Sequence, residues 1–281
     1  MDIKWPTLYI AILLALILCV GCTNASETIG TTMTGSTLRE PASSLPVHTT
    51  VKPTTVPPAT TDISQTVSGD GDITPSNGRV IYLTFDDGPS CYTEKLLDVL
   101  DRYGVKATFF VVNNGYVHLL DDIVQRGHTI AIHASCHIYS QIYASEEAYF
   151  ADMTLMRDII YAQTGVYTNL LRFPGGSSNT VSCFNPGIMT RLTRAVEDMG
   201  YAYFDWNVDS NDAGGAVTPA AVARNVIAGC KNQQVSVVLQ HDTKGYSVDA
   251  VESIILWGLE NGYTFQALNE FSPVIHHNIA N

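Results

Sequence analysis

The sequence predicts an α/β domain in which parallel strands close, wholly or in part, into a barrel. Three observations lead there. From Arg79 onward, short apolar runs alternate with helical stretches, the pattern of strand–helix repeats and a parallel sheet. Gly104, Gly127, Gly165, Gly200 and Gly262 each follow a helical stretch and mark its stop. About seven strands in roughly 200 residues favour one curled sheet over two separate domains.

The elements follow in order. A strand at 80–85 opens the domain as a short apolar run. Ser90 is placed to cap a helix at 93–103, which Gly104 ends. A strand at 107–112 precedes a helix at 119–126 stopped by Gly127. Next come a strand at 129–133, a long helix at 146–164 stopped by Gly165, and a strand at 170–173. A helix at 188–199, ended by Gly200, leads into a strand at 201–206. Thr218-Pro219 reads as a cap followed by proline at the first helical position, opening a helix to about residue 229. A strand at 235–240, a helix at 247–261 stopped by Gly262 and a strand at 263–268 complete the set.

What precedes the domain has another character. Residues 1–22 read as an export signal, with Lys4 near the start and an apolar run over 8–20. That run is shorter than the about 20 residues a membrane span needs. Gly21 directly before Cys22 resembles a bacterial lipoprotein signal, in which Cys22 is lipidated and becomes the N-terminus. The third residue before Cys22 is Cys19, however, where leucine is usual. An ordinary secretory signal, or an uncleaved anchor beginning near Trp5, is the alternative. Residues 23–78 are rich in Thr, Ser and Pro and lack periodicity, which predicts a disordered tether with His48 solvated. Residues 79–281 remain as the folded domain. The expected location is therefore extracytoplasmic, either membrane-anchored or secreted.

Charge narrows the class of partner. Lys and Arg number 15 against 27 Asp and Glu, a formal charge of −12. Nucleic acid is excluded as a general partner, since binding it requires basic stripes.

The chemistry gathers where strands end, as it does in parallel α/β folds. The first strand runs into Asp86-Asp87-Gly88-Pro89. The third ends at His133, with His137 four residues on. The fourth ends near Arg172, before Pro174-Gly175-Gly176. The fifth ends at Asp205-Trp206, with Asp209 and Asp212 beyond, and the sixth at Gln240-His241-Asp242. His133 and His137 can present both imidazoles to one side. Two imidazoles and a carboxylate form a three-ligand metal set with a coordination position left for water. Asp86 and Asp87 supply that carboxylate and one more. Successive strand side chains point to opposite faces, so one aspartate can bind metal while the other takes a proton.

Read together, Thr84-Phe85-Asp86-Asp87-Gly88-Pro89, His133-x-x-x-His137, Arg172-Phe173-Pro174, the 205–212 stretch and Leu239-Gln240-His241 resemble the five ordered motifs of the polysaccharide deacetylases. This is the NodB-homology domain of carbohydrate esterase family four, and the resemblance covers the chain from about Arg79 onward. It implies a distorted (β/α) barrel of parallel strands. Asp87, His133 and His137 would hold a divalent ion, usually zinc, with Co2+ or another divalent ion as alternatives. Asp86 would be the general base and Arg172 would lie against it. The N–H of Gly175, just after Pro174, would stabilise the oxyanion. His241 would be the general acid, oriented by a fourth-motif aspartate, either Asp205 or Asp212. Pro174, Leu239 and Trp206 would wall the acetyl pocket.

The implied reaction removes N-acetyl groups from a cell-wall polysaccharide, foremost the N-acetylglucosamine of peptidoglycan, and the chain is expected to act as a monomer. An O-deacetylase of xylan or another acetylated polysaccharide, or a non-catalytic surface glycan-binding protein, would share much of this sequence. Three departures stand out. Ala134 replaces the usual Ser or Thr after the first metal histidine, removing a hydrogen bond that could brace the ligand. Gly175 replaces an aromatic residue. Ala213 stands where tryptophan would follow Asp212, while Asp205-Trp206 keeps that pair a few residues early. Elsewhere, Cys136 is expected to pack rather than ligate, and Cys91, Cys136, Cys183 and Cys230 allow three full pairings. His118 and His128 read as surface or packing residues, and His276-His277 as an exposed tail. Tyr139, Tyr143 and Tyr149 suit either a sugar groove or the core.

Overall fold

The computed structural model describes residues 78–281. The export signal over 1–22 and the tether over 23–78, with Cys19, Cys22 and His48, lie outside the described residues but for Gly78. Among the described residues, no helix is long and apolar enough to cross a membrane.

The strands are β1 (Val80–Asp86), β2 (Thr108–Val112), β3 (Thr129–Ala134), β4 (Leu170–Leu171), β5 (Ala202–Tyr203), β6 (Val208–Asp209), β7 (Val235–His241) and β8 (Thr264–Phe265). They form one sheet in the order β5-β4-β3-β2-β1-β7-β6. Every pairing is parallel. One edge of β1 is shared: β8 lies beside Val80 and Ile81, and β2 beside Thr84 to Asp86. Its other edge pairs with β7 along its whole length, placing Asp86 opposite His241.

The sheet must curl. Strands β5 and β6 sit at its opposite ends, yet only residues 204–207 separate them in the chain. The five residue steps from Tyr203 to Val208 reach at most about 18 Å, so the two edges approach each other. They do not pair, and the barrel is left half closed.

Strand periodicity divides the core in two. Tyr82, Phe110, Ala131, Leu170, Phe204, Val237 and Leu268 pack inside the curl. The alternate residues Ile81, Leu83, Phe85, Phe109, Ile130 and Ile132 lie under the helices. Those helices are α1 (Thr93–Arg102), α2 (Leu120–Gln125), α3 (Tyr139–Ile142), α4 (Glu146–Thr164), α5 (Ile188–Asp198), α6 (Pro219–Cys230) and α7 (Gly245–Glu260). Local signals account for several of their ends. Ser145 Oγ accepts the Ala148 N–H at the start of α4, and Gly165 ends it at φ 71°, a conformation that costs a residue with a Cβ. Thr218 caps α6 with Pro219 in its first turn.

Three expectations change. Ser90 does not cap α1, whose N-cap is Tyr92 with no side-chain bond. Its hydroxyl instead donates to the Asp242 carbonyl at 2.7 Å, tying the loop after β1 to the end of β7. The strand expected at 201–206 shrinks to β5, and an unexpected strand, β6, follows it at the opposite sheet edge. The last strand shrinks to β8, because β2 occupies the rest of that edge of β1.

Candidate active site

Asp86 ends β1 and points into the curl, where it meets Arg172, the residue following β4. The guanidinium is fully buried, its Nη1 2.8 Å from Asp86 Oδ1. It also donates to Thr84 Oγ1 and to the carbonyls of Phe204 and Asp205, and lies 4.2 Å from the centre of the Phe110 ring. A cation so deep in the protein needs all of these partners. Together they lock both ends of the Asp86–Arg172 pair.

Asp87 lies beyond β1 at φ 68°, followed by a cis Gly88-Pro89 bond. This turn corrects the expectation that the two aspartates diverge to opposite faces. Both carboxylates reach His133: Asp87 Oδ1 lies 3.3 Å and Asp86 Oδ2 4.0 Å from its Nε2. His137, at φ 45°, brings its own Nε2 to 3.2 Å from Asp87 Oδ1. The three donor atoms of Asp87, His133 and His137 lie within 4.8 Å of one another.

The arrangement fits a cation. His133 Nδ1 sits 2.8 Å from the Arg172 carbonyl, so that nitrogen carries the proton and Nε2 presents its lone pair to the cluster. Asp87 Oδ1 is buried and makes no well-directed hydrogen bond within the protein. An orphaned carboxylate oxygen beside two imidazole nitrogens fits the ligand set of a divalent metal. Burial alone would raise the Asp87 carboxyl, but the imidazoles of His133, His137 and His241 hold it well below the usual carboxylate range. Burial, then the nearby His133, lowers His137.

His241 closes the site from the last position of β7. Its Nδ1 is 2.7 Å from Asp212 Oδ1, and its backbone N–H donates to Asp212 Oδ2 at 2.7 Å. Nε2 therefore faces the cluster, 3.9 Å from Asp87 Oδ2. Burial opposes a charge on this ring, but the Asp212 carboxylate, helped by Asp86 and Asp87, pushes its pKa up to about 9.

Asp205 does not take part in that pairing, which corrects one of the two placements expected for the orienting acid. Its carboxylate accepts the Ser177 N–H at 2.8 Å, the Ser177 hydroxyl and the His277 N–H at 2.8 Å. It thereby holds the loop that follows Pro174. The His276-His277 segment is tied down rather than free: His276, although exposed, stacks on Tyr203 at 3.6 Å, and half-buried His277 has its Nε2 on the Trp206 carbonyl. Trp206 is half-buried, and a Cβ on Gly176 would come within 2.9 Å of its ring. Pro174 is buried with its carbonyl accepting from Tyr143. Gly175 is exposed, at φ 77°, and its N–H donates to no group among the described residues. Leu239 is nearly buried, two residues before His241 and so on the same sheet face.

Asp152 had no signal in the sequence. From α4 it accepts the N–H of Ser135 at 2.7 Å and of Cys136 at 2.9 Å, bracing the loop between the two histidines. Cys136 is exposed and only grazes Gln141, and Cys91, Cys136, Cys183 and Cys230 are all unpaired. His118 lies on the surface beside Tyr116, whereas His128 is buried, its Nδ1 accepting the Ala107 N–H.

Comparison with known proteins gives consistent results. The family model described as Polysaccharide deacetylase matches residues 74–203. A peptidoglycan-N-acetylglucosamine deacetylase of Bacillus cereus is 34% identical over 203 residues, covering 69% of this chain and 71% of that protein. The solved catalytic domain of a peptidoglycan N-acetylglucosamine deacetylase from Eubacterium rectale is 54% identical, with TM-score 0.71. That match covers 72% of this chain and 94% of the domain. A polysaccharide deacetylase structure from Bacillus cereus is 32% identical, with TM-score 0.62, over 70% of this chain and 96% of that one.

Proposed function

Since the chain belongs to the polysaccharide deacetylase family of hydrolases, we propose that it removes the N-acetyl group from N-acetylglucosamine units of peptidoglycan. The products are acetate and a free amine. The observation that carries this reading is the convergence of Asp86–Arg172, the Asp87–His133–His137 cluster and His241–Asp212 into one group of neighbouring side chains at the strand ends. A spare carboxylate and an imidazole flanking a metal-ligand set suit a hydrolytic proton relay, one group taking a proton from water and the other giving one to the leaving nitrogen.

Asp87, His133 and His137 would hold the ion, which we take as zinc. When bound, it would polarise the acetyl carbonyl and lower the pKa of water. Asp86 takes the proton from the attacking water, its position fixed by Arg172. The Gly175 N–H donates to the oxygen that becomes negative in the tetrahedral intermediate. His241, charged and oriented by Asp212, gives its proton to the leaving nitrogen. Pro174, Leu239 and Trp206 close the pocket for the acetyl methyl. Asp205 positions the loop carrying Gly175 and Gly176 rather than acting on substrate.

The test is acetate released from purified peptidoglycan by metal-loaded and chelated enzyme. Release that a chelator abolishes and zinc restores is expected. Chelator-insensitive release, or release from acetylated xylan but from no N-acetylated glycan, would sink the reading. We further place the catalytic domain at 79–281, acting as a monomer outside the cytoplasm. It would be tethered by 23–78 to a lipid on Cys22. Mass spectrometry of the mature N-terminus checks the anchor: a first residue other than a lipidated Cys22 excludes it.

A further inference from the structure

Three tyrosines run as a ladder from His137 into the core. Tyr139 and Tyr143 are parallel within 5° at 6.3 Å, and Tyr143 and Tyr149 within 6° at 6.1 Å. Their surroundings differ. Tyr149 is buried in the main core, and Tyr143 is buried with its hydroxyl donating to the Pro174 carbonyl at 2.8 Å. Tyr139 is half-buried, and its hydroxyl makes no hydrogen bond with any described residue.

Tyr139 opens α3 directly after the extended Ile138, and its ring lies between His137 and Gly175. The ring centre lies 5.3 Å from that of His137. Across from it is Gly175, which has no side chain to cover its exposed peptide. A Cβ built there would lie 3.6 Å from the Tyr139 hydroxyl oxygen and 3.7 Å from Cε1. The phenol thus occupies the space over the peptide whose N–H is free. A hydroxyl without a protein partner, beside a free N–H at a cleft, is placed for an oxygen of a ligand. The ring behind it offers an apolar face of the kind that covers the C–H face of a sugar. Stacking on Tyr143 holds that face still, so little side-chain freedom is lost on binding.

We infer that Tyr139 is a substrate-contacting residue: its ring packs on the acetylated sugar held at the Asp87–His133–His137 cluster, and its hydroxyl donates to an oxygen of that sugar. This contact presupposes the deacetylase activity proposed above and assigns it a recognition element. The hydroxyl contributes one neutral hydrogen bond and the ring contributes area, so the two parts separate by substitution.

Tyr139→Phe and Tyr139→Leu are compared with wild type on a chitin tetrasaccharide and on 4-nitrophenyl acetate, which is too small to span the cleft. Metal content and melting temperature are measured on the same samples. For the tetrasaccharide, kcat/KM is expected to fall about three- to tenfold in Tyr139→Phe and about thirtyfold in Tyr139→Leu, mostly through KM. Ester turnover and metal content should stay within about twofold, a single weak contact's worth. Equal losses on both substrates would show that the ring only supports the fold. Unchanged tetrasaccharide kinetics in both variants would show that it touches no sugar. Either result overturns the contact while wild-type acetate release still stands. If wild type releases no acetate from any N-acetylated glycan, the activity itself is wrong and the contact falls with it.

Discussion

Asp86→Asn is expected to cut acetate release by about a thousandfold, within the range for losing a general base. The amide keeps the size and one acceptor of the carboxylate but cannot take a proton. Arg172 is the reason the effect is clean: its guanidinium keeps bonds to Thr84 and to the Phe204 and Asp205 carbonyls, so residue 86 stays in register. The substitution also leaves a buried cation without its carboxylate, which costs stability on the order of a few kcal/mol. Turnover is therefore expressed per mole of folded, metal-loaded enzyme. A variant that retains its metal and turns over at the wild-type rate would remove Asp86 from the proton path.

The second large effect is a displaced pH profile. A general acid must be protonated, so activity declines as pH rises through the pKa of His241. That pKa is pushed up to about 9, chiefly by Asp212 acting against burial. Deleting the Asp212 charge leaves burial, which favours the neutral ring. In Asp212→Asn the alkaline limb of kcat/KM must therefore move to lower pH, toward or below the ordinary imidazole value of about 6.5. A bound divalent cation offsets part of the pull from Asp87, so the displacement between variant and wild type is the diagnostic quantity. His241→Ala should lose about a hundred- to ten-thousandfold and lack the limb altogether. An unmoved limb in Asp212→Asn would assign it to another group, and the same variant at Asp205 serves as control.

Much of this was legible before any coordinates. The helix expected at 146–164 with Gly165 as its stop is α4 at Glu146–Thr164, because the glycine that ends it is a local signal. The strand ends carrying Asp86, His133, Arg172 and His241 could be read because apolar runs of useful length stop there. What resisted reading depends on partners distant in sequence. Strands β5 and β6 are two residues each, set by neighbours β4 and β7 rather than by their own composition. The choice between Asp205 and Asp212 turns on which carboxylate the fold delivers to His241, and the local sequence does not decide it: Asp205 ends an apolar run beside Trp206, and Asp212 lies in a polar turn. Asp152 is an unremarkable helical acid until the chain folds it against Ser135 and Cys136. His277 gives no hint in sequence that it will meet Asp205, 72 positions away.

The parallel ladder between β1 and β7 puts Asp86 and His241 side by side as register partners. Neighbouring strands keep a spacing of about 4.8 Å, so the distance between the proposed base and the proposed acid is set by main-chain architecture. No hinge can widen it, and no loop exchange can retune it. Diversification among such proteins is thereby pushed outward, to the connecting segments around the mouth. Engineering that seeks a new acetylated target has room to remodel there while leaving the relay untouched.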